Sequence, residues 1–355
     1  MKAGILTFHG ANNYGAVLQA YALQKTLTAL GIDNEFIDFC QTPPEERGPA
    51  AAAGQRGPAV FAARIRTEGQ KRSALFDAFR RTYLRTSAPF RIEDAGKLND
   101  LYDAFIAGSD QIWNAQLPEA DGRYLLPFAA PEKRIAYAAS FGTSDVPERL
   151  KDWYGRQLAA FHALSVREAQ GRDMIKELTG RSCEVCLDPV LLLDRAEWAQ
   201  LTQPYDGKPY LFLYMVNYDG QLAGQARKVA EQSGLELRIA AAGYIPQYGF
   251  APWSGIGVEQ WLSLIRNAEG VFTNSFHCTA LSMVFGRPLS TALLREELSH
   301  RNGRLEELLA LAGMDRRADG ELLSVSAEAF AGRLESGKQR SLDYLKRALL
   351  EKSGC

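Results

Sequence analysis

Residues 3–39 read AGILTFHGANNYGAVLQAYALQKTLTALGIDNEFIDF, and how this stretch folds decides the architecture of the chain. "AGILTF" is a near-continuous apolar run, the pattern of a strand buried on both faces. Val17, Ala20, Leu23, Leu27 and Leu30 then recur at spacings of three and four, which marks one face of a helix. Gly31 stands where a helix C-cap glycine belongs, and "EFIDF" supplies the next strand. Strand, helix, strand is a βαβ unit, and its crossover dictates a parallel sheet.

Working outward, the same alternation repeats. "YDAFIAGSDQIWN", "RIAYAASFG" and "FHALSVREAQGRDMIKEL" contain three further strand ends, and "CEVCLDPVLLL" reads as a strand closing this half. "PYLFLYMVN" opens a second set: a helix over 219–233, strand "LELRIAA", helix "VEQWLSLIRNA", strand "GVFTNS", helix "CTALSMVFG" and then "RPLSTAL". An amphipathic helix over 326–351 follows. The expected layout is α/β, with two Rossmann-like units over 1–196 and 197–322. Residues 323–355 then form a C-terminal helix that packs back on the body. Residues 41–60, rich in Pro, Gly and Ala, read as a loop.

The bulk numbers fit this layout. A chain of 355 residues is long enough for two cores. With 41 basic and 42 acidic side chains, it offers no global attraction to nucleic acid or to an anionic membrane. The chain runs straight into a strand without a signal-peptide pattern, so a cytoplasmic location is expected. Basic residues at 64, 66, 71, 72, 80, 81 and 85 lie along one helical stretch. They form either a solvated face or a surface for an anionic or lipid-linked acceptor at the inner face of the membrane. Five scattered cysteines do not make a disulfide framework, and Cys183 and Cys186 lack the further ligands of a zinc site.

Open α/β units bind ligands at the carboxyl ends of their strands. "HGANNYG" lies at such an end and leads into a helix N-terminus. It is either an anion or polar-ligand site, with Asn12, Asn13 and Gly15 facing the cleft, or a plain turn with Asn caps. In "TNSFHCTA", Ser275 and His277 sit where an apolar strand meets a helix, a position suited to proton transfer or anion binding. "GSDQIWN" offers Ser109, Asp110, Gln111 and Asn114. Asp110 is a base, a binder of sugar hydroxyls, an orienter of the histidine, or a cap. In "SVREAQG", Arg167 is a fork for phosphate or carboxylate, or an ion-pair partner of Glu168. "SHRNGRLEELL" supplies Arg301 and Arg304 as further cations. No GxxxxGK[ST], GxGxxG, HExxH or GxSxG motif occurs, which removes P-loop, dinucleotide-binding, zincin and serine-hydrolase readings.

Six blocks, "GILTFHGANNYGAVLQAYAL", "FIAGSDQIWN", "YAASFG", "SVREAQG", "CLDPVLLL" and "TNSFHCTALSMVFGRPL", resemble in order those of the polysaccharide pyruvyl transferase family, from about residue 2 to about residue 315. The resemblance implies a GT-B-like fold with two Rossmann-like domains, the first on the acceptor side and the second on the donor side. It also implies transfer of pyruvyl from phosphoenolpyruvate onto two hydroxyls of a saccharide, forming a ketal in cell-surface polysaccharide synthesis. No cofactor or metal is implied beyond phosphoenolpyruvate as co-substrate. His277 is implied as general acid and base, Arg167 as a binder of the donor's anionic groups, and Asp110 as a residue that handles acceptor hydroxyls or orients the histidine. One departure stands out. Ser275 and Phe276 occupy positions where members often carry Arg-Leu, so Arg301 or Arg304 would replace that cation. Two other readings share the fold: a glycosyltransferase using a nucleotide sugar, with Tyr244, Tyr248 or Trp253 stacking on the base, and a saccharide-binding relative without chemistry.

Overall fold

The computed structural model describes residues 1–39, 59–118, 120–241, 255–293, 302–314 and 321–350, without the side chains of 59–66. The opening stretch folds as its periodicity predicts. β1 (Lys2–Leu6) enters α1 (Tyr14–Ala29), and β2 (Asp33–Phe36) returns parallel to β1. Gly31 adopts φ +77° just past the helix, which explains the glycine there. α2 (Ala59–Tyr83) then crosses to β3 (Ala104–Ala107), which pairs with the other edge of β1. β4 (Arg134–Ala136) extends the sheet, giving the order β2-β1-β3-β4. α3 (Glu148–Ala159), β5 (Ser165–Val166), α4 (Ala169–Thr179) and β6 (Glu184–Val185) follow. Bridges Ile135–Ala163 and Ala139–Val166 attach β5 to β4, so the carboxyl ends of five neighbouring strands (β1, β3, β4, β5 and β6) form one rim.

The sequence "CEVCLDPVLLL" departs from expectation. The strand stops at Val185, and Pro189–Leu191 form a single 3-10 turn. Proline has no N–H to give a ladder, and the Asp188 side chain accepts from Val190 N at 3.0 Å, capping the turn. This break turns Asp188 off the sheet and toward the rim.

After α5 (Arg195–Ala199) the second sheet begins. β7 (Tyr210–Met215), α6 (Gly220–Ser233), β8 (Glu236–Ala241), α7 (Val258–Asn267), β9 (Gly270–Thr273), α8 (Phe276–Phe285) and β10 (Leu289–Thr291) give the parallel order β10-β9-β7-β8. α9 (Gly303–Leu311) and α10 (Ala327–Leu350) complete the chain. α10 packs on α8 and reaches the first half, where Tyr344 Oη donates to Ala136 O at 2.7 Å and Ser341 Oγ accepts from Leu187 N at 2.9 Å.

One core cluster spans both sheets. Tyr14, the first residue of α1, stacks on Trp261 of α7 at 4.9 Å, and its hydroxyl donates to Ile256 O at 3.0 Å. This anchor fixes the start of α1 against the second half. Among the described residues, no helix is long and apolar enough to cross a membrane.

Candidate active site

Asp188, just past β6, meets residues from the ends of β3 and β5 and from the start of α8. From β3 come Gly108, Ser109 and Asp110. Gly108 has φ +126°, and a Cβ there would lie 2.0 Å from Tyr137 O, so the close approach of the β3 and β4 ends requires glycine. Asp110 itself holds a left-handed backbone at φ +76°, a conformation a non-glycine residue keeps only where its surroundings enforce it. Ser109 is fully buried. Its hydroxyl donates to Ala138 O at 2.7 Å and lies 3.4 Å from Asp188 Oδ2.

Arg167 follows β5. Its side chain is 2% exposed, and its Nη1 donates to Asp188 Oδ2. Asp110 and Glu168 each stand 3.8 Å from the guanidinium, so the sequence alternative of an ion pair with Glu168 holds alongside the others. The ring of Phe276 lies under the guanidinium, 4.9 Å away. Burial alone would lower the Arg167 pKa, but Asp188, Asp110 and Glu168 outweigh it and raise it. Burial alone would raise that of Asp188, but His277 and Arg167 reverse the sign and hold the carboxyl below the ordinary carboxylate range.

His277 opens α8. Its Nε2 lies 3.4 Å from Asp188 Oδ2, and its other face rests on Gly15. A Cβ at Gly15 would lie 2.1 Å from His277 Nδ1 and 2.5 Å from Cγ. Only a glycine one residue after the Tyr14 anchor lets the imidazole enter. Within this cluster Arg167 Nε and Nη2 are buried without a hydrogen-bond partner, and His277 Nε2 faces Asp188 alone. Buried donors are normally satisfied, so unsatisfied ones call for a physical explanation.

Arg304 joins from α9. Glu307, one turn later, accepts from Ala169 N at the start of α4 at 3.0 Å and docks that helix. With its amide oxygen turned toward the guanidinium, Gln111 accepts from Arg304 Nη1 at 3.1 Å and Nη2 at 3.3 Å. Burial, and then the neighbouring Arg167, push Arg304 down to about 10. A cavity of about 230 Å³ opens here. Arg167, Arg304, Arg333 and Arg340 are among its lining residues, against the two carboxylates Asp188 and Glu307.

The remaining sequence candidates fall elsewhere. Asn13 is exposed and caps α1, accepting from Ala16 N at 3.2 Å, so the plain-turn alternative holds for it. Asn12 is exposed, and its Oδ1 accepts from Arg80 at 3.1 Å, so neither asparagine lines the cluster. Ser275 caps α8 through Cys278 N at 3.3 Å. Asn114 is buried in its own turn, accepting from Gln116 N at 3.0 Å and lying beside Gln111. Arg301, Tyr244, Tyr248 and Trp253 lie outside the described residues. Asp188 was missed because its block reads as a strand. The Asp-Pro pair, a cap followed by a residue that cannot extend a ladder, was the available signal.

Two parallel α/β sheets facing each other, with the polar cluster at their junction, define a GT-B-type protein. A solved structure with a TM-score above 0.5 agrees at the level of fold. A protein assigned as a UDP-N-acetylglucosamine 2-epimerase from Listeria monocytogenes shares 11% identity over 99% of this chain and 97% of its own, with a TM-score of 0.52. The MnaA–UDP complex from S. aureus shares 9% identity over 99% and 98%, with a TM-score of 0.49. No curated protein matches the sequence significantly. The family model for polysaccharide pyruvyl transferase matches residues 13–289, and the chain belongs to that family. It is therefore a transferase of the pyruvyl class.

Proposed function

We propose that the protein moves pyruvyl from phosphoenolpyruvate onto two hydroxyls of a saccharide, forming a cyclic ketal and releasing phosphate. The observation that carries this reading is the pair of buried, unpartnered donors on Arg167, beside His277 and a cavity with four lining arginines. Phosphoenolpyruvate brings a phosphate and a carboxylate, which are the acceptors such donors lack. Arg304 supplies the second cation that Ser275 and Phe276 do not, and Phe276 instead supports the plane of Arg167.

The chemistry follows from these positions. His277 gives a proton to C3 of the enol, which becomes a methyl group and leaves C2 as an oxocarbenium ion. The first saccharide hydroxyl adds to C2 and returns its proton to His277. The C2–O bond to phosphate then breaks as His277 passes that proton to the departing phosphate. The second hydroxyl adds to C2 and gives its proton to His277, which is thereby restored. Two protons leave the hydroxyls, one ends on C3 and one on phosphate, so the sum closes. Asp188 is the countercharge of the protonated ring and of Arg167, and holds both in register. Asp110, left-handed at the rim beside Arg167, is placed to receive an acceptor hydroxyl.

The test is calorimetry with phosphoenolpyruvate and a panel of nucleotide sugars. Phosphoenolpyruvate should bind, and Arg167→Ala should weaken it at least tenfold, the loss of a charged hydrogen-bonding partner. Binding of a nucleotide sugar with no response to phosphoenolpyruvate would refute the donor assignment.

A further inference from the structure

Four arginines face only two carboxylates in the cavity of about 230 Å³, which leaves it cationic. Three of the four are committed to protein acceptors. Arg167 Nη1 donates to Asp188, and Arg304 donates to Gln111. Arg333 Nη1 donates to Ala312 O at the carboxyl end of α9, where the last carbonyls favour a cation. Gly313 makes room for it, since a Cβ there would lie 2.9 Å from Arg333 Cζ. Arg340 differs. Among the described residues, no carbonyl or carboxylate accepts from it, and none forms an ion pair with it. Its charge is nevertheless felt inside the cavity. Burial pushes the Cys186 thiol in the wall up to about 11, and Arg340 opposes that rise.

The helix that bears Arg340 is seated on the reaction centre. Arg333 and Arg340 stand seven residues apart on α10, two turns or about 10 Å, so both border one groove. Gly337 lies between them, and a Cβ there would meet Leu187 Cδ1 at 3.1 Å. Leu187 N donates to Ser341 Oγ at 2.9 Å, and Leu187 directly precedes Asp188. The two ends of the cavity are unlike. Inside, Arg167 presents Nε and Nη2, one edge of its guanidinium, buried and unpartnered. Two parallel N–H groups fit a planar carboxylate. At the mouth Arg340 is exposed and keeps its whole fork, which suits a phosphate dianion that must leave for water. Leu191, Leu308, Leu311 and Leu334 supply apolar wall, which strengthens charge attraction at both ends. α10 lies beyond residues 13–289, the part matched by the family model.

We propose that Arg340 binds the phosphate of the donor, so that phosphoenolpyruvate lies with its carboxylate on Arg167 and its phosphate at the mouth beside α10. The proposal rests on the donor assigned above. Calorimetry on the full-length protein uses three probes: phosphoenolpyruvate, inorganic phosphate, and pyruvate, which keeps the carboxylate and lacks the phosphate. Arg340→Ala should weaken phosphoenolpyruvate and inorganic phosphate about tenfold each and leave pyruvate within twofold. Arg167→Ala should weaken pyruvate about tenfold. Arg340 is exposed and alanine favours a helix, so the truncation leaves α10 intact, as circular dichroism melts would show. Arg340→Gln, uncharged but of intermediate length, should give the same split. Unchanged affinity for phosphoenolpyruvate and phosphate in both Arg340 variants, a loss of pyruvate instead, or no binding of inorganic phosphate to the wild type would overturn the proposal. Arg340-dependent phosphate binding in a protein that does not bind phosphoenolpyruvate would keep the anion subsite and remove the donor assignment.

Discussion

Replacing Gly15 by alanine tests the contact that joins the two halves at the reaction centre. The added Cβ would lie 2.1 Å from His277 Nδ1, where ordinary contact needs at least 3.4 Å. The ring must therefore withdraw by more than about 1 Å, the size of misplacement that costs on the order of 100-fold in rate. Stability responds differently. Alanine in a helix gains about 1 kcal/mol over glycine, whereas overpacking costs about 1–3 kcal/mol, so the net change should stay within about 2 kcal/mol. The expected variant is folded, binds phosphoenolpyruvate through Arg167 and Arg304 within a few-fold of wild type, and turns over about 100-fold more slowly. The assay is phosphate release from phosphoenolpyruvate with a panel of pyranoside acceptors, together with imidazole resonances of His277 read by NMR. A kcat within twofold of wild type, with the ring resonances shifted, would refute a role for the ring's position. An unchanged ring environment would refute the contact itself.

Two further outcomes follow from charge and burial. Asp188→Asn leaves Arg167 buried with its closest countercharge removed, which should cost about 3–5 kcal/mol in denaturant unfolding. Because the folded pKa of Asp188 is depressed, its contribution is present above the unfolded value of ~3.9 and is lost as pH falls through the lower folded value. The gap between wild type and variant should thus not close between about pH 8 and pH 5 and should shrink only below about pH 4. A gap that closes between pH 7 and pH 5 would assign the titration to another group. For the cysteines, burial pushes Cys183 up to about 12, Cys186 to about 11 and Cys278 to about 12. In a Cys40→Ser, Cys355→Ser background, thiol labelling at pH 8 should be at least about 100-fold slower in the native protein than in guanidinium. Labelling at the unfolded rate would make Cys183 and Cys186 an accessible, reactive pair and refute their burial.

The sequence by itself determined the alternation of strands and helices, because apolar runs and 3.6-residue spacing act over a few residues. It therefore placed Ser109, Asp110, Arg167 and His277 at strand ends or helix starts, and the six ordered blocks matched the family the chain belongs to. Local chemistry could not say which of these would meet. Asn13 and Ser275 look like ligand residues but are caps, since a free N–H two or three residues ahead is a nearer partner than anything across the cleft. Asp188 looked like a strand residue until proline broke the ladder. Arg304 reaches Arg167 only because Glu307 docks α9 on the start of α4, 138 residues earlier in the chain. Gly15 meets His277 only because Tyr14 stacks on Trp261. Tertiary structure decided these meetings, because the strand order and the packing of distant helices fix which side chains share a buried volume. There, the cost of leaving a charge or donor unpaired selects its partners.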